Sequence, residues 1–258
     1  MIDIINAKKE FKKYVSNYNP NHPRISLKIV HIERVAENCK KIAKKLNLSD
    51  EEIKLAELIG LFHDLGRFEQ VRLADTFSDR DSGINHAAYS IKVLFEDGLI
   101  RNFIEDTKYD KIIQAAVYNH NRAKIDEGLS EKELLFSKII RDADKLDIFY
   151  DINTSYFPAL FWYKGFDQTE INSTVMGQLE RYELINYPDI KNNADQILIF
   201  YAYAFDLYFE NSLRYVAENK YLDSFTKRLK EYFTNENVQK QTEHALNVVH
   251  EYFRINNV

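Results

Sequence analysis

The stretch Gly60–Gln70, "GLFHDLGRFEQ", sets a histidine and an aspartate side by side at the end of an apolar run of helical spacing. A buried charge is costly unless it is paired, hydrogen-bonded or bound to a metal, so His63 and Asp64 need partners from elsewhere in the chain. Ser49 and Glu52 form a capping-box pattern that opens this helix, which is expected to run to about Gly66. The polar segment 66–82, "GRFEQVRLADTFSDRDS", reads as an irregular loop beside a site.

Outward from this stretch nearly every periodic segment has helical spacing, and no Asn-Gly or Asp-Gly pair sits between alternating strands. Asp97-Gly98 follows a helical pattern, where Gly98 suits a C-terminal cap. The fold class is all-α. Helices are expected at about 3–17, 26–46, 83–97, 108–121 and 130–151, the last opened by a second capping box, Ser130 and Glu133. "NYNPNHPR", with Pro20 and Pro23, separates the first two. Aromatic-rich helical patterns follow at 189–219 and 235–254 with no obvious linker, so 1–258 reads as a single domain.

The 258 residues are 45% hydrophobic and 29% charged with 7 Gly and 4 Pro, a globular composition with enough chain for a sizeable core. A net charge of −5 gives no global positive field, which speaks against long nucleic acid as a partner. Cys39 is the single cysteine, which excludes an intrachain disulfide framework. The first residues, "MIDIINAKKEFKKYV", lack the apolar stretch of a signal peptide, and no segment approaches the ~18 apolar residues of a membrane span. The expectation is a cytoplasmic protein without a membrane partner.

Several polar groups fall on apolar faces. His31 is in register with Val35, Cys39, Ile42 and Leu46; His86 with Ser90 and Leu94; His120 with Ala116 and either Ile113 or Val117. Asp144, in "IIRDADKLD", lines up with Phe136, Ile140 and Asp147, whereas Asp142 points about 200° away from Asp144 around the helix. Asp147 is placed to orient a ligand histidine. On an intact helix His63 and Asp64 would diverge by about 100°, so both reach one centre only if the helix frays, unless Asp64 bridges two ions. Imidazole nitrogen and carboxylate oxygen together suit Mn, Fe, Ni, Co or Zn. His22, His244 and His250 read as solvated, and the aromatic run 148–163, "IFYDINTSYFPALFWY", as core, with stacking on a nucleobase as the alternative.

His31, then His63-Asp64, then Asp144 in "DADKLD" resembles the HD-domain superfamily of metal-dependent phosphohydrolases, over about residues 26–150. The resemblance implies an HD-type helical bundle as the metal-site core, with residues 151–258 packed on it as accessory helices. His86 and His120 match the two further histidines of the six-ligand branch, in which two metals about 3.5–4 Å apart share a bridging aspartate. On that pattern His31, His63, Asp64 and Asp144 would hold a first divalent ion, and Asp64, His86 and His120 a second. Arg67 stands where related domains carry a basic residue towards phosphate, or is a surface arginine; Lys145 either reaches substrate or pairs with Asp142 or Asp147. The Gly-Tyr-Pro motif of the best-known cyclic-di-GMP enzymes is absent, so that substrate does not carry over.

The expected function is therefore hydrolysis of a phosphate ester of a nucleotide or similar small metabolite by a metal-activated water. One or two divalent ions per chain would serve as cofactor, with Asp64, Arg67 and Lys145 as catalytic residues. The same six ligands also occur in mixed-valent di-iron oxygenases of this fold, and a nucleotide-sensing module without turnover is a third reading. A homodimer is left open.

Overall fold

The computed structural model describes residues 2–155 and 165–258, which are helical with no strand among them. No described helix is long and apolar enough to cross a membrane. The chain divides into two compact units, Met1–Asp147 and Ile148–Val258.

In the first unit, α1 (Ile4–Val15) is capped by Asp3, whose carboxylate accepts from the Ile5 and Asn6 amides. The second helix, α2, spans Pro23–Lys45. It starts three residues earlier than the proline loop suggested, because Pro23 occupies the first helical turn, where its missing N–H would have had no partner. Ile32, Val35, Ala36, Cys39, Ile42 and Ala43 form its buried stripe, each large aliphatic contributing about 1.5–3 kcal/mol on burial.

That stripe lies on α3 (Asp50–Phe62). The close approach depends on Gly60: a Cβ there would lie 2.5 Å from Ala36 Cα. The Ser49/Glu52 capping box is formed as the sequence implies, the Glu52 amide donating to Ser49 Oγ and the Ser49 amide to Glu52 Oε2 at 3.1 Å. Ser49→Ala is expected to cost about 1 kcal/mol, read as a fall of roughly 2–4 °C in melting temperature.

Two expectations are corrected here. The third helix ends at Phe62 rather than near Gly66, and His63 to Leu65 form a turn. Residues 66–82 are not an irregular loop: α4 spans Gly66–Ala74 and a one-turn α5 spans Asp79–Ser82. The buried positions Phe68 and Val71 are spaced one turn apart, but charged neighbours hide the period in so short a helix. Phe68 packs edge-on to Phe11 and Tyr14, which fixes α4 against α1.

The sixth helix, α6 (His86–Ile91), is capped by Asn85 and runs into a π-helical turn, Lys92–Glu96. Gly98, at φ +79°, follows as the sequence suggested. Then come α7 (Ile100–Phe103), α8 (Asp110–Asn119) and α9 (Glu131–Thr154), the last opened by the second capping box, with the Ser130 amide donating to Glu133 Oε2 at 2.7 Å. α6 packs on α4 and α8, and α8 also contacts α3, so α3, α4, α6 and α8 converge behind the His63-Asp64 turn.

In the second unit the described helices beyond α9 are α10 (Ser173–Glu180), α11 (Asn193–Ala202), α12 (Glu210–Glu218), α13 (Tyr221–Leu229) and α14 (Glu236–Ile255). The continuous pattern at 189–219 is broken into α11 and α12 by a 3-10 turn, Tyr203–Asp206. α14 packs on α10, α11 and α13, burying Val238, Ala245, Val248, Val249 and Phe253. Of the aromatic run 148–163, residues 156–163 lie outside the described residues; Phe149 is fully buried and Tyr150 is 41% exposed.

Candidate metal centre

The helix end at Phe62 settles how two adjacent residues face one centre. His63 is the C-cap of α3, and the turn that follows swings Asp64 back beside it, with His63 Nε2 3.6 Å from Asp64 Oδ2. His31 enters from the middle of α2, His86 from the first turn of α6 and His120 from the C-terminal end of α8. All five side chains are buried.

They form two groups that share Asp64: His31, His63 and Asp64, and Asp64, His86 and His120. Asp64 Oδ2 lies 3.6 Å from the Nε2 atoms of both His31 and His63. Asp64 Oδ1 lies 3.4 Å from His86 Nε2 and 3.5 Å from His120 Nε2. Asp144, on α9, puts Oδ1 3.2 Å from His31 Nε2 and 3.9 Å from His63 Nε2. The six residues singled out in the sequence are thus brought together.

The donor chemistry fits divalent cations. Every imidazole in the cluster has its Nδ1 on an acceptor: His63 on Gly60 O at 2.8 Å, His120 on Val117 O at 2.6 Å, His31 on Asp147 Oδ2 at 2.6 Å, and His86 on the Asp79 carboxylate at 2.8 Å. A carbonyl or carboxylate can only accept, so Nδ1 carries a proton, and Nε2 of each ring points into the cluster, where its lone pair is free to ligate in the neutral form. Two such Nε2 pairs stand face to face, His31 with His63 at 3.3 Å and His86 with His120 at 3.1 Å. Asp64 Oδ1 is buried and accepts no hydrogen bond. Converging lone pairs and an unpartnered carboxylate oxygen call for a cation.

Titration follows the same geometry. Burial lowers His63 to about 4 and His86 to about 3, the latter with help from the Arg67 charge. Burial and Lys28 also push His31 down, but its bonds to Asp144 and Asp147 prevail and raise it to about 9. Burial works against ionisation of Asp64, yet Lys28 and His63 hold it well below the carboxylate range.

For the chelated protein the signs are opposite at the two ends. His63 and His86 contribute stability that is full above about 6.5 and is lost as pH falls towards their folded values. His31 contributes stability that is full below about 6.5 and is lost as pH rises through about 9. The melting temperature in chelator is expected to peak near neutrality and fall in both directions between pH 4 and 9.5; a flat profile would contradict the burial of these rings.

Asp147 orients His31 as expected, and is itself clamped by Arg34 through bonds of 2.5 and 2.9 Å. The matching partner of His86, Asp79, escaped sequence reading: it also takes Arg67 Nη1 at 3.0 Å and Gln70 Nε2 at 2.8 Å. Only the folding back of α5 brings it there. Asp147→Asn or Asp79→Asn is expected to weaken divalent-metal binding about 10–100-fold by calorimetry, with little change in fold.

Lys28 was also missed, although it precedes His31 by one helical turn and so shares its face. Its Nζ donates to Asp64 Oδ2 at 2.6 Å. Arg67 is neither in a loop nor at the surface: it sits in α4, with Nη1 on Gln70, the Phe77 carbonyl and Asp79, and Nε 3.6 Å from Asp64 Oδ1. Lys145 and Asp142 are buried on α9. His244 and His250 are exposed, paired with Glu180 and Asp223, and His22 stands 3.2 Å from Asp75.

The HD domain model matches residues 29–148, the segment that contains all six convergent side chains. No significant match was found among curated proteins or among solved structures. The HD domain is an all-α fold associated with metal-dependent phosphohydrolases, and its match coincides with the His/Asp groups whose donors suit divalent ions. Residues 29–148 of the chain match the HD domain family, and their helical fold and buried His/Asp groups agree with that match.

Proposed function

We propose that the chain is a metal-dependent phosphohydrolase that cleaves a phosphate ester of a nucleotide or a similar small phosphorylated metabolite. The observation that carries this reading is Asp64, whose two oxygens face different histidine pairs, Oδ2 towards His31 and His63 and Oδ1 towards His86 and His120. One aspartate shared in that way suits two divalent ions, and Asp144 adds a further carboxylate on the His31 side. Bound ions would supply Lewis acidity towards phosphate oxygens and acidify a water that attacks the ester.

The remaining work falls to the chain's own side chains. Asp147 and Asp79 hold the rings of His31 and His86 in one tautomer and orientation. Lys28 and Arg67 place positive charge on either side of Asp64, where a phosphate dianion would approach, and both stand over the Phe77 ring, at 5.3 and 5.8 Å. Asp64, Arg67 and Lys145 remain the proposed catalytic set, with Lys28 added to it. The net charge of −5 favours a small ester over a polyanion.

The test is a mass-spectrometric screen of chelated protein reloaded with Mn²⁺ or Fe²⁺ without oxygen, against nucleotides, cyclic dinucleotides and sugar phosphates. Metal-dependent loss of a phosphate bond in the absence of oxygen would support the proposal. Turnover only after oxygen reaches the iron form would overturn it in favour of an oxygenase, and binding without product in favour of a sensing module.

A further inference from the structure

Lys28 occupies a position that the metal reading leaves unexplained. Its Nζ lies 2.6 Å from Asp64 Oδ2, the same oxygen that faces the Nε2 atoms of His31 and His63. The pair is largely dry, with the lysine side chain 16% and the aspartate 4% exposed. A lysine ammonium and a divalent ion drawn to one carboxylate oxygen repel each other, and low exposure leaves little water to screen them.

In the same position the ammonium also stands over an aromatic ring. The face of the Phe77 ring lies 5.3 Å from Nζ, and the flexible four-carbon stem lets the head group move while its backbone stays fixed in α2. Arg67 is not equivalent: its Nη1 is held by Gln70, the Phe77 carbonyl and Asp79, and its planar head is pinned.

We infer that Lys28 is an exchangeable counter-cation of the centre: its ammonium neutralises Asp64 when the His31/His63 position holds no ion, and gives up Oδ2 when one binds. Lys28 thereby lowers the affinity of the first position while protecting the fold from an unpaired buried carboxylate. The inference rests on the reading of these donors as a metal centre and is independent of the reaction catalysed.

Two readouts test it without turnover: Mn²⁺ titration by calorimetry and melting temperature with and without Mn²⁺, on wild type, Lys28→Met and Asp64→Ala after chelation. Lys28→Met is expected to bind the first Mn²⁺ on the order of tenfold more tightly than wild type. In chelator it is expected to melt roughly 5–15 °C lower, because removing one partner strands a buried charge, and in saturating Mn²⁺ most of that gap should close. Lys28→Gln, which keeps a donor but no charge, is expected to move affinity in the same direction and serves if Lys28→Met does not fold.

Equal or weaker Mn²⁺ binding by the Lys28 variants, with wild type binding normally, would overturn the counter-cation role alone. Wild type binding Mn²⁺ no better than Asp64→Ala would instead overturn the metal centre on which it rests.

Discussion

Replacing Asp64 with alanine is expected to abolish turnover of any phosphate ester the protein hydrolyses, and to strip metal from both histidine pairs at once. The reason is geometric: each oxygen of Asp64 serves one pair, so one truncation opens both groups. Loss of an orienting partner alone costs about 10–100-fold, and loss of a shared ligand is expected to exceed the upper end of that range in kcat/KM and in metal affinity. Metal content by mass spectrometry and rate on the substrate found in the screen would check it together. A variant that kept both ions, or more than about a hundredth of the rate, would remove Asp64 from the centre of the mechanism.

The fold should also respond, and in an informative direction. Asp64 is buried between Lys28 and four imidazoles, so the alanine variant leaves the Lys28 ammonium without its carboxylate. Lys28 is less buried than Asp64 and can turn towards solvent, so the variant should remain folded.

The second large effect is expected at a residue that carries no charge of its own. At Gly66 a Cβ would lie 2.3 Å from the His86 carbonyl oxygen and 2.7 Å from the Ser90 amide nitrogen, both backbone atoms of α6. The Gly66 amide donates to Ser90 Oγ at 2.8 Å, and Ser90 Oγ in turn donates to the carbonyl of His63 or of His86, both at 3.0 Å. Gly66→Ala therefore cannot be absorbed by a side-chain rotation; α4 and α6 must separate. Overpacking of this kind costs about 3 kcal/mol at the upper end of the usual range, or roughly 6–12 °C in melting temperature.

Because α6 carries His86, the displacement should fall on one half of the centre. Metal held through His86 and His120 is expected to be lost, while binding through His31 and His63, on α2 and the end of α3, should persist. Two calorimetric binding events reduced to one would match this. A melting temperature within about 2 °C of wild type would show that the two helices can part without cost.

The sequence by itself determined the helical class, because apolar residues recurring every three to four positions leave little other way to bury them. It also determined the two capping boxes, each a local pattern of four residues, and it singled out the six convergent side chains, His31, His86, His120 and Asp144 by their apolar stripes and the His63-Asp64 pair by the resemblance to HD domains. Asp147 was legible for the same reason, sharing a helix face with Asp144.

Only the tertiary structure decided how those groups meet. His63 and Asp64 reach one centre because α3 ends at Phe62, and local pattern did not place that end, since Gly66 opens the next helix instead of closing this one. α4 itself was hidden, as two buried positions in nine residues give too short a period to distinguish from a loop. Asp79 meets His86 through a fold-back of seven residues, and Arg67 bonds that aspartate while its Nε stands 3.6 Å from Asp64 Oδ1. Side-chain periodicity reports which face of an element is buried; it carries no information on which other element lies against that face, and the roles of Lys28, Arg67 and Asp79 depend on that second fact.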